Sequence, residues 1–148
     1  MSEVIKPQTK TADLLALTAP YDNPYQGKAP RILFVCSVGL LRSPTAAVYF
    51  SERGYNTRAC GSMVGCALIP ISANLVEWAF QIAFMTHENK QETLALFDGD
   101  AVTQEIIRGK SVVLNICDDY NYMEAGLIAE LEFVSDKILP LNYRRIED

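Results

Sequence analysis

Five consecutive apolar residues, Ile32-Leu33-Phe34-Val35-Cys36, constrain this chain more than any other feature. The run has strand length and does not alternate with polar residues, so a strand formed here has no face to give to water. Such a strand belongs inside a parallel sheet covered by helices on both sides. After a short turn, Ser43 can cap a helix, Pro44 suits its first position, and Ala47, Val48 and Phe50 supply an apolar face. The helix is expected to run to Arg53 and to stop at Gly54. A buried strand feeding a helix this quickly is the first half of a βαβ unit, and the alternation continues along the chain. Strands are predicted near Asn56–Cys60, Ile82–Met85 and Ser111–Ile116. Helices are predicted over Ser72–Ala79, with Leu75, Val76 and Trp78 in the core, and over His87–Phe97, with Leu94, Leu96 and Phe97 inward. A short helix follows at Val102–Ile107, and a last one over Glu124–Val134 carries Leu127, Ile128, Leu131 and Val134 on one stripe. Strands and helices alternating on short connections predict an α/β fold, a doubly wound three-layer sandwich around a parallel sheet. No repeat of 20 to 50 residues is visible, which excludes solenoids and propellers.

At 148 residues the chain has length for one domain. Residues 1 to 30 differ from the rest: four of the seven prolines (Pro7, Pro20, Pro24, Pro30) fall there, with Tyr21 and Tyr25 as distinctive groups. They are expected to form an N-terminal arm ahead of an α/β domain over residues 31 to 148. Thirteen Lys and Arg against eighteen Asp and Glu give a net charge of -5, which argues against a phosphate-tracking surface for nucleic acid. No apolar run approaches the ~18 residues of a bilayer span, and the N-terminus lacks the apolar segment of a signal peptide. A cytoplasmic location with no membrane partner is expected, and there the four cysteines, Cys36, Cys60, Cys66 and Cys117, stay reduced.

In an open parallel sheet, ligands bind beyond the carboxyl ends of the strands. The loop leaving the first strand there reads Cys36-Ser37-Val38-Gly39-Leu40-Leu41-Arg42-Ser43-Pro44. A cysteine at the end of a buried strand is followed six residues later by an arginine where a helix begins. A loop of this length can curl into a cradle whose backbone N–H groups join the free N–H groups of the helix start, and such a cradle fits a tetrahedral dianion. Cys36 at its floor would be favoured as thiolate and serve as nucleophile. Arg42 can give paired N–H bonds to phosphate oxygens, and Ser43 can donate its hydroxyl to the sulfur. Gly39 supplies a position open to positive φ, while Leu40 and Leu41 are expected to anchor the loop to the core. The backbone of Ser37, Val38, Gly39, Leu40 and Leu41 would line the anion.

The loop after the fourth strand reads Cys117-Asp118-Asp119-Tyr120-Asn121-Tyr122 and should emerge on the same edge. A thiolate that takes a phosphoryl group needs an acid to protonate the departing oxygen, and the same group can then activate water. Asp118 and Asp119 are both candidates. Tyr120 and Tyr122 are placed to wall the entrance and stack on a flat substrate ring.

The stretch RILFVCSVGLLRSPTAA, together with NLVEWAFQIAFM and VVLNICDDYNYME, resembles the low-molecular-weight protein tyrosine phosphatases, and within them a short prokaryotic branch of predicted tyrosine phosphatases. The resemblance covers about residues 31 to 134. It implies a central four-stranded parallel sheet and a two-step reaction without metal or cofactor. The substrates it implies are phosphotyrosine proteins or small aryl phosphates. Cys36 is implied as nucleophile, Arg42 as phosphate ligand and Ser43 as thiolate partner. The family's acid opens an Asp-Pro-Tyr motif that here reads Asp118-Asp119-Tyr120. The role falls on Asp118, and with the motif's proline replaced Asp119 stays in contention. Gly39 stands where the family usually has Asn, so the turn should survive with fewer side-chain hydrogen bonds. Leu41 stands where many relatives carry a second cysteine, so a protective disulfide with Cys36 is not expected.

Two other readings share the same cradle. A thioredoxin-coupled arsenate reductase would relay a disulfide through further cysteines, for which Cys60, Cys66 and Cys117 are available. A non-catalytic module would capture phosphotyrosine or another oxyanion, yet it would need neither Cys36 nor an acid. Cys60 and Cys66 are expected to be buried structural thiols, and His87, the sole histidine, a surface residue.

Overall fold

The computed structural model of the chain describes residues 29–143. In chain order the elements are β1 (Arg31–Cys36), α1 (Arg42–Ser51), β2 (Asn56–Gly61), α2 (Ala73–Trp78), β3 (Gln81–Phe84), α3 (His87–Leu96), α4 (Ala101–Lys110), β4 (Ser111–Val113) and α5 (Ala125–Phe133), closed by a 3₁₀ turn at Ser135–Lys137. The four strands form one parallel sheet in the order β2-β1-β3-β4. The fold is the predicted three-layer α/β sandwich. The arm expected over residues 1 to 30 lies outside the described residues as far as residue 28.

The apolar run behaves as its pattern requires. Ile32, Leu33, Phe34 and Val35 are each 0% exposed. Ile32, Phe34 and Cys36 pack on one face with Ala46, Ala47 and Phe50 of α1 and Leu127 and Leu131 of α5. Leu33 and Val35 pack on the other with Leu75 and Val76 of α2, Leu94 of α3 and Ile107 of α4. Period-2 alternation along β1 therefore feeds two cores at once. Each large side chain so buried contributes about 1.5–3 kcal/mol. Since β2 and β3 flank β1 on opposite sides, the connections diverge at its carboxyl end and leave a crevice there, the usual ligand position in such a sheet. Among the described residues, no helix is long and apolar enough to cross a membrane.

The structure corrects several boundaries. Helix α1 begins at Arg42 and ends at Ser51, so Ser43 lies inside the first turn and does not cap it. Its hydroxyl is engaged elsewhere, as described below. Helix α4 continues to Lys110. The ammonium of Lys110 donates to the carbonyls of Val76 (2.8 Å) and Ala79 (2.6 Å), satisfying the end of α2. Regular pairing of β4 stops at Val113 rather than Ile116: Asn115 takes φ 60°, which breaks the pleat, although the N–H groups of Leu114 and Ile116 still reach the carbonyls of Phe84 and Met85. Leu96 faces outward at 43% exposure because α3 rests on the sheet through Leu94. Leu40 and Leu41 are half-buried and join neither core, so they do not anchor the loop. Cys66 is exposed, not buried, while His87 is on the surface and Trp78 in the core as expected.

Candidate active site

At the carboxyl end of β1 the chain turns sharply through Ser37–Leu41. The turn rests on two close backbone approaches. Gly39 has φ 74°, and a Cβ there would lie 3.0 Å from both the Cys60 carbonyl carbon and the Gly61 nitrogen. Gly61, at the end of β2, would carry a Cβ 2.7 Å from the Ser37 oxygen. Only glycine permits the loop to lie this flat on β2. The segment after β2 then clamps it: the N–H groups of Ser62, Met63 and Leu68 donate to the carbonyls of Cys36 (2.9 Å), Ser37 (2.8 Å) and Val38 (3.3 Å). Those three carbonyls are thus held on the side of residues 62 to 68. Among the described residues, the N–H groups of Ser37, Val38, Leu40 and Leu41 have no acceptor. Unpaired backbone donors beside a helix start are what an anion site consists of.

The sulfur of Cys36 sits at the floor of the turn, 2% exposed. Its Sγ lies 3.1 Å from the Ser43 Oγ and accepts the Gly39 N–H at 3.3 Å. The Ser43 Oγ is also 3.1 Å from the Cys60 carbonyl. With one proton to give, that hydroxyl can serve the sulfur or the carbonyl, and a thiolate, being charged, is the stronger acceptor.

Arg42 is 2% exposed, and its guanidinium is fixed on three sides. Nη1 donates to the Ile116 carbonyl at 2.9 Å, Nη2 to the Ser37 Oγ at 3.4 Å, and Nε faces Asp118 Oδ1 at 3.4 Å. Five N–H groups less three engaged leaves two, one on each Nη, for a ligand. The pocket so formed has a volume of about 210 Å³ and is lined by Cys36, Ser37, Val38, Leu41, Arg42, Met63 and Asp118. It is smaller than the ~300–1,000 Å³ of drug-sized sites and suits a compact group with a short attachment.

The two acids of the loop after β4 are placed differently. Asp118 lines the pocket with its side chain 70% exposed. Asp119 is outside the pocket lining and accepts the Cys117 thiol at 3.4 Å. Tyr120 does not wall the entrance. Its hydroxyl bonds Glu130 on α5, its ring lies against Gly126, and its pKa is pushed up to about 12, chiefly by that hydrogen bond. Tyr122 is half-buried and also outside the pocket lining. Gly39 and Leu40 shape the turn without lining the pocket. The loop is tied to α1 where Thr45 Oγ1 accepts the Met123 N–H at 2.8 Å, with Met123 at φ 59°.

Several members of the site were not foreseen in the sequence. Met63 supplies an apolar wall from the segment after β2. Asn89, on the first turn of α3 and 1% exposed, donates to Ser37 Oγ and Ser62 Oγ, each at 3.2 Å. Ser62 in turn donates to Glu92 Oε1 at 2.6 Å. The only available signal was the Thr86-x-x-Asn89 pattern after a strand, which reads as a helix cap and nothing more. The four cysteines are all free. Cys60 packs on the face of the sheet opposite Cys36. Burial, and then the nearby Cys36 charge, push its thiol pKa well up. Among the described residues, no three His, Cys, Asp or Glu side chains are grouped to hold a metal ion.

No protein-family model matches the sequence, and no curated protein matches it. Solved structures do match in fold. The YwlE arginine phosphatase from Geobacillus stearothermophilus superposes with TM-score 0.54 at 20% identity, over 73% of this chain and 89% of that one. The tyrosine phosphatase Wzb from Escherichia coli K30, in complex with phosphate, gives 0.53 at 15% identity, over 74% and 95%. Vibrio vulnificus Wzb, in complex with benzylphosphonate, gives 0.51 at 12% identity, over 73% and 93%. The four-stranded α/β architecture implied by the sequence resemblance is therefore the one this chain adopts.

Proposed function

We propose that this protein is a phosphatase that hydrolyses phosphotyrosine or other aryl phosphate monoesters through a phosphocysteine. The observation that carries the reading is the convergence on one pocket of a sulfur with two donors, a buried arginine with two N–H groups to spare, and a single carboxyl group at the rim. In the first step the Cys36 thiolate attacks phosphorus, forming the S–P bond. The P–O bond to the leaving group breaks with its electron pair on oxygen, and protonated Asp118 gives that oxygen its proton. In the second step Asp118, now a carboxylate, takes a proton from water as the water oxygen bonds to phosphorus. The S–P bond breaks, returning the thiolate and releasing inorganic phosphate. Arg42 and the loop N–H groups hold the equatorial oxygens throughout, and the Ser43 hydroxyl steadies the sulfur when it carries charge.

Fold likeness supports phosphoryl chemistry, because the structures matched are phosphatases of tyrosine and of arginine. The preference for an aryl group rests on Val38, Leu41 and Met63, three apolar residues in the pocket lining that suit a ring better than a guanidinium. Arsenate reduction would need a second thiol to reach Cys36; Cys60 lies across the sheet from it, Cys66 and Cys117 are outside the pocket lining, and the Cys117 thiol donates to Asp119.

The test is hydrolysis of p-nitrophenyl phosphate, phosphotyrosine peptide and phosphoarginine by wild type and by Cys36→Ser. The expected result is turnover of the two aryl esters, weaker turnover of phosphoarginine, and none with Cys36→Ser. Turnover that survives Cys36→Ser would overturn the mechanism. Arsenate-dependent oxidation of thioredoxin by the wild type would favour the reductase instead.

A further inference from the structure

The buried contacts behind the cradle carry a direction. Thr86 Oγ1 accepts the Asn89 N–H at 3.2 Å, closing the cap of α3, so its own proton goes to Asn89 Oδ1 at 3.0 Å. With Oδ1 accepting, the other end of the amide is the donor, and its two N–H bonds run to Ser37 Oγ and Ser62 Oγ. The Ser62 proton goes to Glu92 Oε1 at 2.6 Å, a charge-assisted bond that outcompetes the Cys36 carbonyl at 3.4 Å. Ser62 therefore only accepts from Asn89. The Ser37 oxygen accepts twice, from Asn89 Nδ2 at 3.2 Å and from Arg42 Nη2 at 3.4 Å. A hydroxyl has two lone pairs and one proton. Both lone pairs of Ser37 are engaged, its proton has no acceptor among the described residues, and the residue lines the pocket with its hydroxyl beside the Arg42 guanidinium.

We infer that Ser37 is a side-chain ligand of the phosphate, donating its O–H to an oxygen of the bound anion, and that Asn89 is the positioning residue that fixes its polarity. This rests on the oxyanion site proposed above and adds a donor from outside the backbone cradle. It also gives a physical role to a buried asparagine on α3 in a chain whose turn carries Gly39 and so has no side chain there to brace it. The asparagine touches no ligand, being 1% exposed, and acts only through Ser37.

The test measures inorganic phosphate binding by calorimetry and p-nitrophenyl phosphate kinetics on the full chain, for wild type, Ser37→Ala, Ser37→Thr, Asn89→Ala and the double variant Ser37→Ala with Asn89→Ala. Loss of one hydrogen bond to a charged acceptor predicts about a tenfold or greater rise in the phosphate Kd for Ser37→Ala. KM should rise in parallel and kcat change less, and Ser37→Thr, which keeps the hydroxyl, should restore binding. Asn89→Ala should weaken phosphate binding in the wild-type background and add little to Ser37→Ala. Wild-type affinity in Ser37→Ala overturns the ligand role. Full, multiplicative losses in the double variant overturn the action of Asn89 through Ser37. If Asn89→Ala does not fold, Ser37→Ala against Ser37→Thr still decides the ligand role. A wild type that binds phosphate in a Ser37-dependent way without turnover would overturn the hydrolase reading and leave this inference standing. Turnover through Cys36 with Ser37→Ala unaffected would do the reverse.

Discussion

Replacing Gly39 with alanine tests the architecture of the cradle. At φ 74° a residue with a Cβ costs about 1–2 kcal/mol relative to glycine. The added Cβ would also meet two backbone atoms, of Cys60 and Gly61, at 3.0 Å. Neither can retreat without moving the end of β2, so overpacking adds roughly 1 kcal/mol. Reduced freedom of the unfolded chain returns about 0.5 kcal/mol. The net expectation is a loss of about 2 kcal/mol, or roughly 6 °C in Tm for a chain of this size. Activity should fall further than stability, because displacing the loop by 1 Å misplaces the sulfur and its donors, a change that can cost about 100-fold. Thermal melts and p-nitrophenyl phosphate turnover of Gly39→Ala, Gly39→Asn and Gly65→Ala make the comparison. Asn tolerates positive φ and should recover only the backbone part. Gly65, whose Cβ would meet nothing within 4 Å, is the neutral control. A Gly39→Ala protein as stable and as active as wild type would show that neither the positive φ nor the contact with β2 constrains the turn.

Ser43→Ala removes the hydroxyl 3.1 Å from the sulfur; it should lower kcat by about 10- to 100-fold, the worth of a hydrogen bond to a charged group, with little change in KM by steady-state kinetics. Asp118→Asn should lose turnover of a phosphotyrosine peptide, whose leaving group needs a proton, by about 100-fold or more, whereas Asp119→Asn should stay near wild type. At Asp100 the side chain caps α4, accepting the Thr103 hydroxyl at 2.7 Å and its N–H at 3.1 Å, and these bonds lower the carboxyl pKa. A lowered folded pKa means stability that is present above the unfolded value of about 3.9 and lost as pH falls through the folded one. The Tm gap between wild type and Asp100→Ala should therefore narrow in acid, while Asp100→Asn, which caps without titrating, should hold its Tm better than wild type there.

Much of this was legible because the signals were local. Ile32–Cys36 announces a doubly buried strand within five residues, and the spacing from Cys36 to Arg42 lies within one turn and one helix start. Errors came where tertiary partners overrode a local preference. Ser43 has the chemistry of a cap, but its hydroxyl is drawn to Cys36 and Cys60 once the helix starts one residue earlier. Tyr120 sits beside the acid loop in sequence, yet Glu130 on α5 pulls its hydroxyl away from the pocket. Asn89 stands 52 residues from Ser37, and the two meet only because β3 lies next to β1. No window of sequence contains that adjacency. Met63 was invisible for the same reason, being brought to the pocket by the pairing of β1 with β2.

In the proposed mechanism Cys36 carries the phosphoryl group. Asp118→Asn mixed with p-nitrophenyl phosphate should still form the intermediate, since that leaving group needs no acid, and should break it down slowly for want of a base. The mixture is quenched in denaturant, digested and weighed by mass spectrometry. One phosphoryl group is expected on the peptide containing Cys36, and none on that peptide from the double variant Cys36→Ser with Asp118→Asn held at the same early time. Turnover of substrate with no phosphoryl group ever found on that peptide, or with the group found on another residue, would rule out a phosphocysteine at Cys36.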